Sequence, residues 1–198
     1  MSFHQPPLSE HQRELLRRYE ALLRDPGAAR GMVGRADVPK LWERHITDSL
    51  RGAATIPSAA RRVADLGSGG GLPGVVLAVA LPEIGFVLAE RRRNRISFLE
   101  LVCGELDLTN ADVHPGDARD LPEGSFDVTM ARAFADPERT WSVAEPLLTE
   151  AGRLVYWAGS SLDLSLGTSS WRPPRPRIEV FAEPGVAGSG PLVIMSRQ

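Results

Sequence analysis

The sequence predicts an α/β fold built on one mostly parallel sheet with helices on both faces. Three observations predict it. From residue 62 onward, short β-type runs alternate with helical stretches, the pattern of parallel strands joined by crossover helices. Before that point the apolar residues recur only at helical spacing. After residue 170 the composition turns rich in proline and serine, and two further apolar runs flank a glycine-rich stretch. That last pattern reads as an antiparallel hairpin at the sheet edge. At 198 residues the chain is ample for one buried core. The expected organisation is a single domain, residues 1–198, with an N-terminal helical extension over 1–56 and a core over 57–198.

The elements follow in order. Ser9 and Gln12 form an S-x-x-Q capping box, which starts a helix. Leu15, Leu16, Tyr19, Leu22 and Leu23 give its apolar stripe, and "DPG" at residues 25–27 is expected to end it. A second helix is expected after Asp37, with Leu41, Trp42, His45, Ile46 and Leu50 on one face. The strands are read at "RVADLG", "GFVLAE", "ADVHPG", "FDVTMA" and "GRLVYWA". Helices are expected at residues 72–80, 93–106 and 137–148. "IEVFAE" and "PLVIMS", joined by "PGVAGSG", complete a sheet of seven strands.

Bulk composition narrows the function. Net charge is -2, so the molecule is not a polycation, and a nucleic-acid surface would be a local patch. Lys40 is the sole lysine, and arginine carries nearly all the positive charge. One cysteine, Cys103, excludes an intrachain disulfide and suits a reducing compartment. It lies on an apolar helical stripe with Leu99, Val102 and Leu106 and reads as a core residue. The first residues lack a signal-peptide core and no run approaches a membrane span. A cytoplasmic monomer with no membrane association is expected. Four scattered histidines make no metal-ligand set.

The chemistry concentrates in "RRVADLGSGGGLPGVV", residues 61–76. Its glycines lie between the first strand and the next helix, where a tight turn and close approach of a ligand both favour them. The helix start also suits an anionic group. Gly69-x-Gly71-x-x-Gly74, with Glu90 about twenty residues on, matches the dinucleotide fingerprint. Asp65-x-Gly67-x-Gly69-x-Gly71 matches the loop of methyltransferases that use S-adenosylmethionine. Three features favour the second reading. Asp65 ends the strand, placed to orient the loop and a ligand's ammonium. The dinucleotide register would begin its turn four residues late. Asp117 ends the third strand, where an adenine amino group would lie. Glu90, at the end of strand two, suits the two ribose hydroxyls. The plain alternatives are a turn with no ligand and a solvated acid at a helix start.

Four motifs in this order resemble the small-subunit ribosomal RNA guanine-N7 methyltransferases called RsmG, or glucose-inhibited division protein B. They are "LWERHITDSL" at 41–50, "VADLGSGGGLPG" at 63–74, "AERRRNRISFLELV" at 89–102 and "ARAFAD" at 131–136. "GMVG" at 31–34 also fits, and the resemblance spans roughly residues 15–160. It implies a Rossmann-like class I methyltransferase fold, S-adenosyl-L-methionine as cofactor, and small-subunit ribosomal RNA or its assembling particle as partner. The family's cofactor positions fall on Gly67, Leu72, Ala118, Arg119 and Arg132. Arg119 stands where the family usually has glutamate. Ala158 stands where it usually ends the fifth strand with lysine, and Trp157 beside it reads either as a stacking face for a base or as core.

Guanine N7 is a lone-pair acceptor, so methyl transfer needs alignment and exclusion of water but no base. Arg132 would contact the cofactor carboxylate or the guanine's acceptor edge; the plain reading is an ion pair with Asp136. His45 reads either as pocket-facing or as a satisfied core histidine. Arg91, Arg92, Arg93 and Arg95 read as phosphate contacts or as a solvated helix start, with Arg92 or Arg93 alternatively flanking the adenine pocket. Two other functions fit the same residues: a diverged methyltransferase with another substrate, or an RNA- or nucleotide-binding relative without catalysis.

Overall fold

The computed structural model describes residues 7–159, 171–181 and 189–198. Seven strands form one sheet: β1 (Arg62–Leu66), β2 (Gly85–Glu90), β3 (Ala111–Pro115), β4 (Phe126–Arg132), β5 (Leu148–Trp157), β6 (Arg177–Phe181) and β7 (Leu192–Ser196). Their order is β3-β2-β1-β4-β5-β7-β6. β1 to β5 pair in parallel, while β7 pairs antiparallel with both β5 and β6. The hairpin is thus the expected edge, with its second strand inserted next to β5. Most of its connection, residues 182–188, lies outside the described residues. β5 begins at Leu148, four residues before "GRLVYWA", and a register shift against β4 at Phe126–Val128 absorbs the difference.

Side chains leave a strand on alternate faces, and here both faces are buried. Val63 and Val155 join one apolar cluster with α3 (Gly74–Ala80) and α4 (Arg93–Glu105). Ala64, Leu154 and Tyr156 join the other, with α5 (Pro137–Ala144). α3 is buried along its whole length because the N-terminal helices cover its outer side. Among them, α1 (Glu10–Leu22) starts at the Ser9–Gln12 capping box. The Gln12 amide also donates to the carbonyls of Val79 and Ala80, at 3.0 and 3.1 Å, and so caps the end of α3.

"DPG" does not end the first helix. The chain passes through it as a wide π turn, Leu23–Gly27, and regains α geometry at 28–29. Pro26 has no N–H for Leu22, and its ring would press on that carbonyl in a regular helix; the wider turn relieves both. The real stop is Gly31, at φ +73°, with Met32 N–H bonded to Gly27 O and Gly31 N–H to Ala28 O, the Schellman arrangement. The expected second helix is a chain of short segments. A 3-10 stretch Arg35–Lys40, a π stretch Leu41–Ile46, α2 (Thr47–Leu50) and a 3-10 stretch Arg51–Thr55 follow one another. Leu41, Ile46 and Leu50 are its buried face.

Candidate functional site

The sheet order reverses between β1 and β4, and a crevice opens at the carboxyl ends of the strands there, as doubly wound sheets dictate. A cavity of about 540 Å³ lies in it, a size suited to a nucleoside-sized ligand. Four strand ends wall it. β1 gives Gly67; β2 gives Ala89, Glu90, Arg91 and Arg92, with Arg95 from α4. The turn after β3 gives Gly116, Asp117, Ala118 and Arg119. The segment after β4 gives Ala133, Phe134, Ala135 and Asp136, followed by Arg139 and Val143 of α5.

The glycine loop is shaped by its neighbours. Gly67, Gly69 and Gly71 have φ of +71°, +58° and +97°, a region that side chains rarely adopt. At Gly67, a Cβ would lie 2.7 Å from Phe134, which walls the cavity. Two carboxylates fasten the loop. Asp65, 1% exposed, accepts the Gly74 N–H at 3.0 Å, tying the end of β1 to the start of α3. Burial pushes its carboxyl up to about 7. Glu90, 4% exposed, accepts the Gly69 N–H at 3.1 Å on Oε2 and the Arg91 and Arg92 N–H groups at 2.9 Å on Oε1. Two N–H donors occupy Oε1, whereas Oε2, which accepts one and has Arg95 Nη1 at 3.5 Å, is the less crowded oxygen. From the other side, the buried Tyr19 hydroxyl of α1 donates to Gly70 O at 2.7 Å.

Of the expected cofactor residues, Gly67, Glu90, Asp117, Ala118 and Arg119 therefore share the cavity. Asp65, Gly69, Gly71 and Leu72 do not line it: Asp65 and Gly69 act through loop hydrogen bonds, Gly71 packs beneath Val75 and Tyr19, and Leu72 packs on the core. Asp117 lies two residues past the end of β3. It N-caps a 3-10 turn Ala118–Asp120 and pairs with Arg119 at 3.3 Å.

Arg132, the last residue of β4, is also off the cavity wall and does not pair with Asp136. Asp136 instead N-caps α5, accepting the Arg139 N–H at 2.9 Å. The Arg132 guanidinium turns toward the N-terminal helices, 3.0 Å from His45 Nδ1, 3.4 Å from Ser49 Oγ and 3.5 Å from Asp48 Oδ2. Arg132 only donates, so His45 Nδ1 accepts and the ring proton sits on Nε2. Burial first, then the Arg132 charge, lowers the His45 pKa, while burial also lowers that of Arg132. His45 Nε2 is buried with no hydrogen-bond partner, and Asp37 Oδ1 lies 3.7 Å away. Asp48 also holds the fully buried Arg51 at 2.7 Å. His45 and Arg132 thus form one polar cluster beside the cavity.

Two other expectations are settled by burial. Trp157 is core: 6% exposed, packed on Gly52, its Nε1 donating to Asp48 O at 3.2 Å. It offers no face for a base. Ala158, where the resembling family has lysine, is 7% exposed, with its carbonyl against Gly190. Cys103 is partly buried against the core, and burial raises its thiol to about 11. The roles of Arg139, Tyr19, Asp48 and the wall formed by Phe134 and Asp136 are not found from the sequence. Phe134 and Asp136 stand inside "ARAFAD", and Ala133 within it has a positive φ of 53°, unusual for a residue with a side chain. Among the described residues, no group of three or more His, Cys, Asp or Glu side chains is placed to hold a metal, and no helix is long and apolar enough to cross a membrane.

Solved structures share this architecture. A SAM-dependent methyltransferase from Aquifex aeolicus superposes with a TM-score of 0.60 at 14% identity, over 81% of this chain and 94% of that one. A mutant of MtNAS, in complex with S-adenosylmethionine, gives 0.60 at 18% identity over 96% and 73%. At that identity the likeness establishes the fold, and the class it defines is the Rossmann-like methyltransferase fold. Sequence comparison is narrower. The family described as rRNA small subunit methyltransferase G matches residues 12–168. The ribosomal RNA small subunit methyltransferase G of Acidiphilium cryptum is 38% identical over 176 residues, 87% of this chain and 81% of that protein. Its namesake from a Nocardioides species is 39% identical over 149 residues, 75% of this chain and 59% of that protein; against that relative the chain spans about three fifths of the length. The chain belongs to the rRNA small subunit methyltransferase G family.

Proposed function

We propose that this protein transfers a methyl group from S-adenosyl-L-methionine to N7 of a guanine in small-subunit ribosomal RNA. The observation that carries the proposal is the cavity at the sheet's reversal point, with the buried Glu90 carboxylate on its wall. A second acid, Asp117, lines it from the turn after β3, beside Glu90. Glu90 Oε2 would hold a ribose hydroxyl, and the Gly116–Ala118 turn would flank the adenine. When bound, the cofactor supplies an electrophilic methyl on a sulfonium sulfur. The protein's own residues align and desolvate the reacting atoms. N7 needs no proton removed, which fits a cavity lined, among the described residues, by no Ser, Thr, Cys or His. Arg132, one fifth exposed at the end of β4, would donate to the guanine O6, held by His45 and Asp48. The protein would act as a cytoplasmic monomer on the RNA or on its assembling particle.

Calorimetry with S-adenosylhomocysteine and with NAD tests the cofactor half. Binding of the first and none of the second is expected. Tight NAD binding with none of S-adenosylhomocysteine would reverse the assignment.

A further inference from the structure

Among the described residues, five arginines from three separate segments line the same cavity: Arg91, Arg92 and Arg95 after β2, Arg119 after β3, and Arg139 on α5. Its three acids are already engaged. Glu90 accepts three backbone N–H groups and lies 3.5 Å from Arg95. Asp117 caps its turn and pairs with Arg119, and Asp136 caps α5. The exposed guanidinium groups of Arg91, Arg92 and Arg139 have no ion pair or hydrogen bond among the described residues. This is a local excess of positive charge on a chain whose net charge is -2.

The cofactor does not account for it. S-adenosylmethionine carries a sulfonium and an ammonium against one carboxylate, so it is itself cationic. Guanidinium groups around such a ligand repel it unless something anionic joins them. Resting on the proposed function above, we infer that Arg91, Arg92 and Arg139 are a phosphate-binding rim for RNA. On this reading the backbone of the RNA substrate crosses the cavity mouth from α5 to the start of α4 and helps close it over the cofactor. Arginine suits the task, since its fork of donors matches phosphate oxygens and stays charged at any working pH.

The test measures affinity for protein-free small-subunit RNA, and for intact small subunits, across a salt series with S-adenosylhomocysteine saturating. Variants are Arg91→Gln, Arg92→Gln, Arg139→Gln and the triple. Arg61→Gln is the control, exposed at the opposite end of β1. Removing one arginine from a phosphate should flatten the plot of log affinity against log salt by about 0.7–0.9, and the triple substitution should flatten it by about two or more. The control should keep the wild-type slope. Affinity for S-adenosylhomocysteine, which lacks the sulfonium and has no net charge, should stay within about twofold throughout. Slopes equal to wild type in all variants would overturn the rim. So would a loss of cofactor affinity beyond tenfold with the slope unchanged, which would assign these arginines to the cofactor. Both outcomes presuppose a wild type that methylates the RNA; one that methylates neither substrate overturns the proposed function and the rim together.

Discussion

Glu90→Gln should loosen the glycine loop before any ligand is added. The carboxylate accepts Gly69 N–H on one oxygen and the Arg91 and Arg92 N–H groups on the other. Glutamine keeps one acceptor oxygen. With that oxygen on the two arginine N–H groups, its NH₂ faces the Gly69 N–H, donor against donor. One bond to a charged acceptor disappears, worth about 1.5–3 kcal/mol. For a chain of this size each kcal/mol moves the melting temperature by about 2–4 °C, so a fall of roughly 3–12 °C is expected without cofactor. Glu90→Ala also removes the acceptor on the cavity wall, and should weaken S-adenosylhomocysteine about ten- to a hundred-fold. Thermal unfolding without ligand and calorimetry with it measure the two effects. A Glu90→Gln variant that melts with the wild type would refute the loop role. Unchanged ligand affinity in Glu90→Ala would move the ribose site elsewhere.

Three further outcomes are expected. Asp65, with its folded-state pKa raised to about 7, holds a proton that the unfolded chain releases near 4, so its contribution to stability falls as pH rises between those values. Asp65→Asn does not titrate, and denaturant unfolding should show its stability improving relative to wild type by about 2–3 kcal/mol from pH 5 to pH 8; a constant difference would count against the raised pKa. Tyr19→Phe leaves the Gly70 carbonyl without its buried donor and should cost about 1–3 kcal/mol in the same assay, with an equal stability disproving the clamp. Gly67→Ala combines a positive φ with a clash against Phe134 and should lower both stability and cofactor affinity, whereas Gly104→Ala, exposed in α4 with nothing within 4 Å, should stabilise by about 0.5 kcal/mol; equal effects of the two would show that the loop geometry is not specific.

Much of the fold is legible in the chain because its signals are local. The Ser9–Gln12 box, the alternation of Val63 with Ala64 and the glycines at positive φ each depend on neighbours in sequence. The path through Pro26 is not, because a proline followed by glycine ordinarily stops a helix and only the buried packing of Leu23 and Gly27 carries this one on. The site divides the same way. Strand ends locate Glu90 and Asp117, and the cavity holds them both. Arg132 is read at the right strand end, but its plain alternative, an ion pair with Asp136, is replaced by contacts to His45 and Ser49, which lie more than eighty residues earlier and meet it only through the tertiary fold. Trp157 stays open between a stacking face and core in the sequence because the run "LVYWAG" shows no trace of Gly52, whose missing side chain makes room for the ring.

The most direct measurement is mass spectrometry of nucleosides from small-subunit ribosomal RNA incubated with S-adenosylmethionine and either the wild type or Glu90→Ala. The RNA should come from cells lacking this protein. The wild type should generate 7-methylguanosine at one guanine and the variant far less under limiting cofactor. Methylation at another atom or on another RNA, or none by a folded wild type that binds the cofactor, would contradict the proposed reaction.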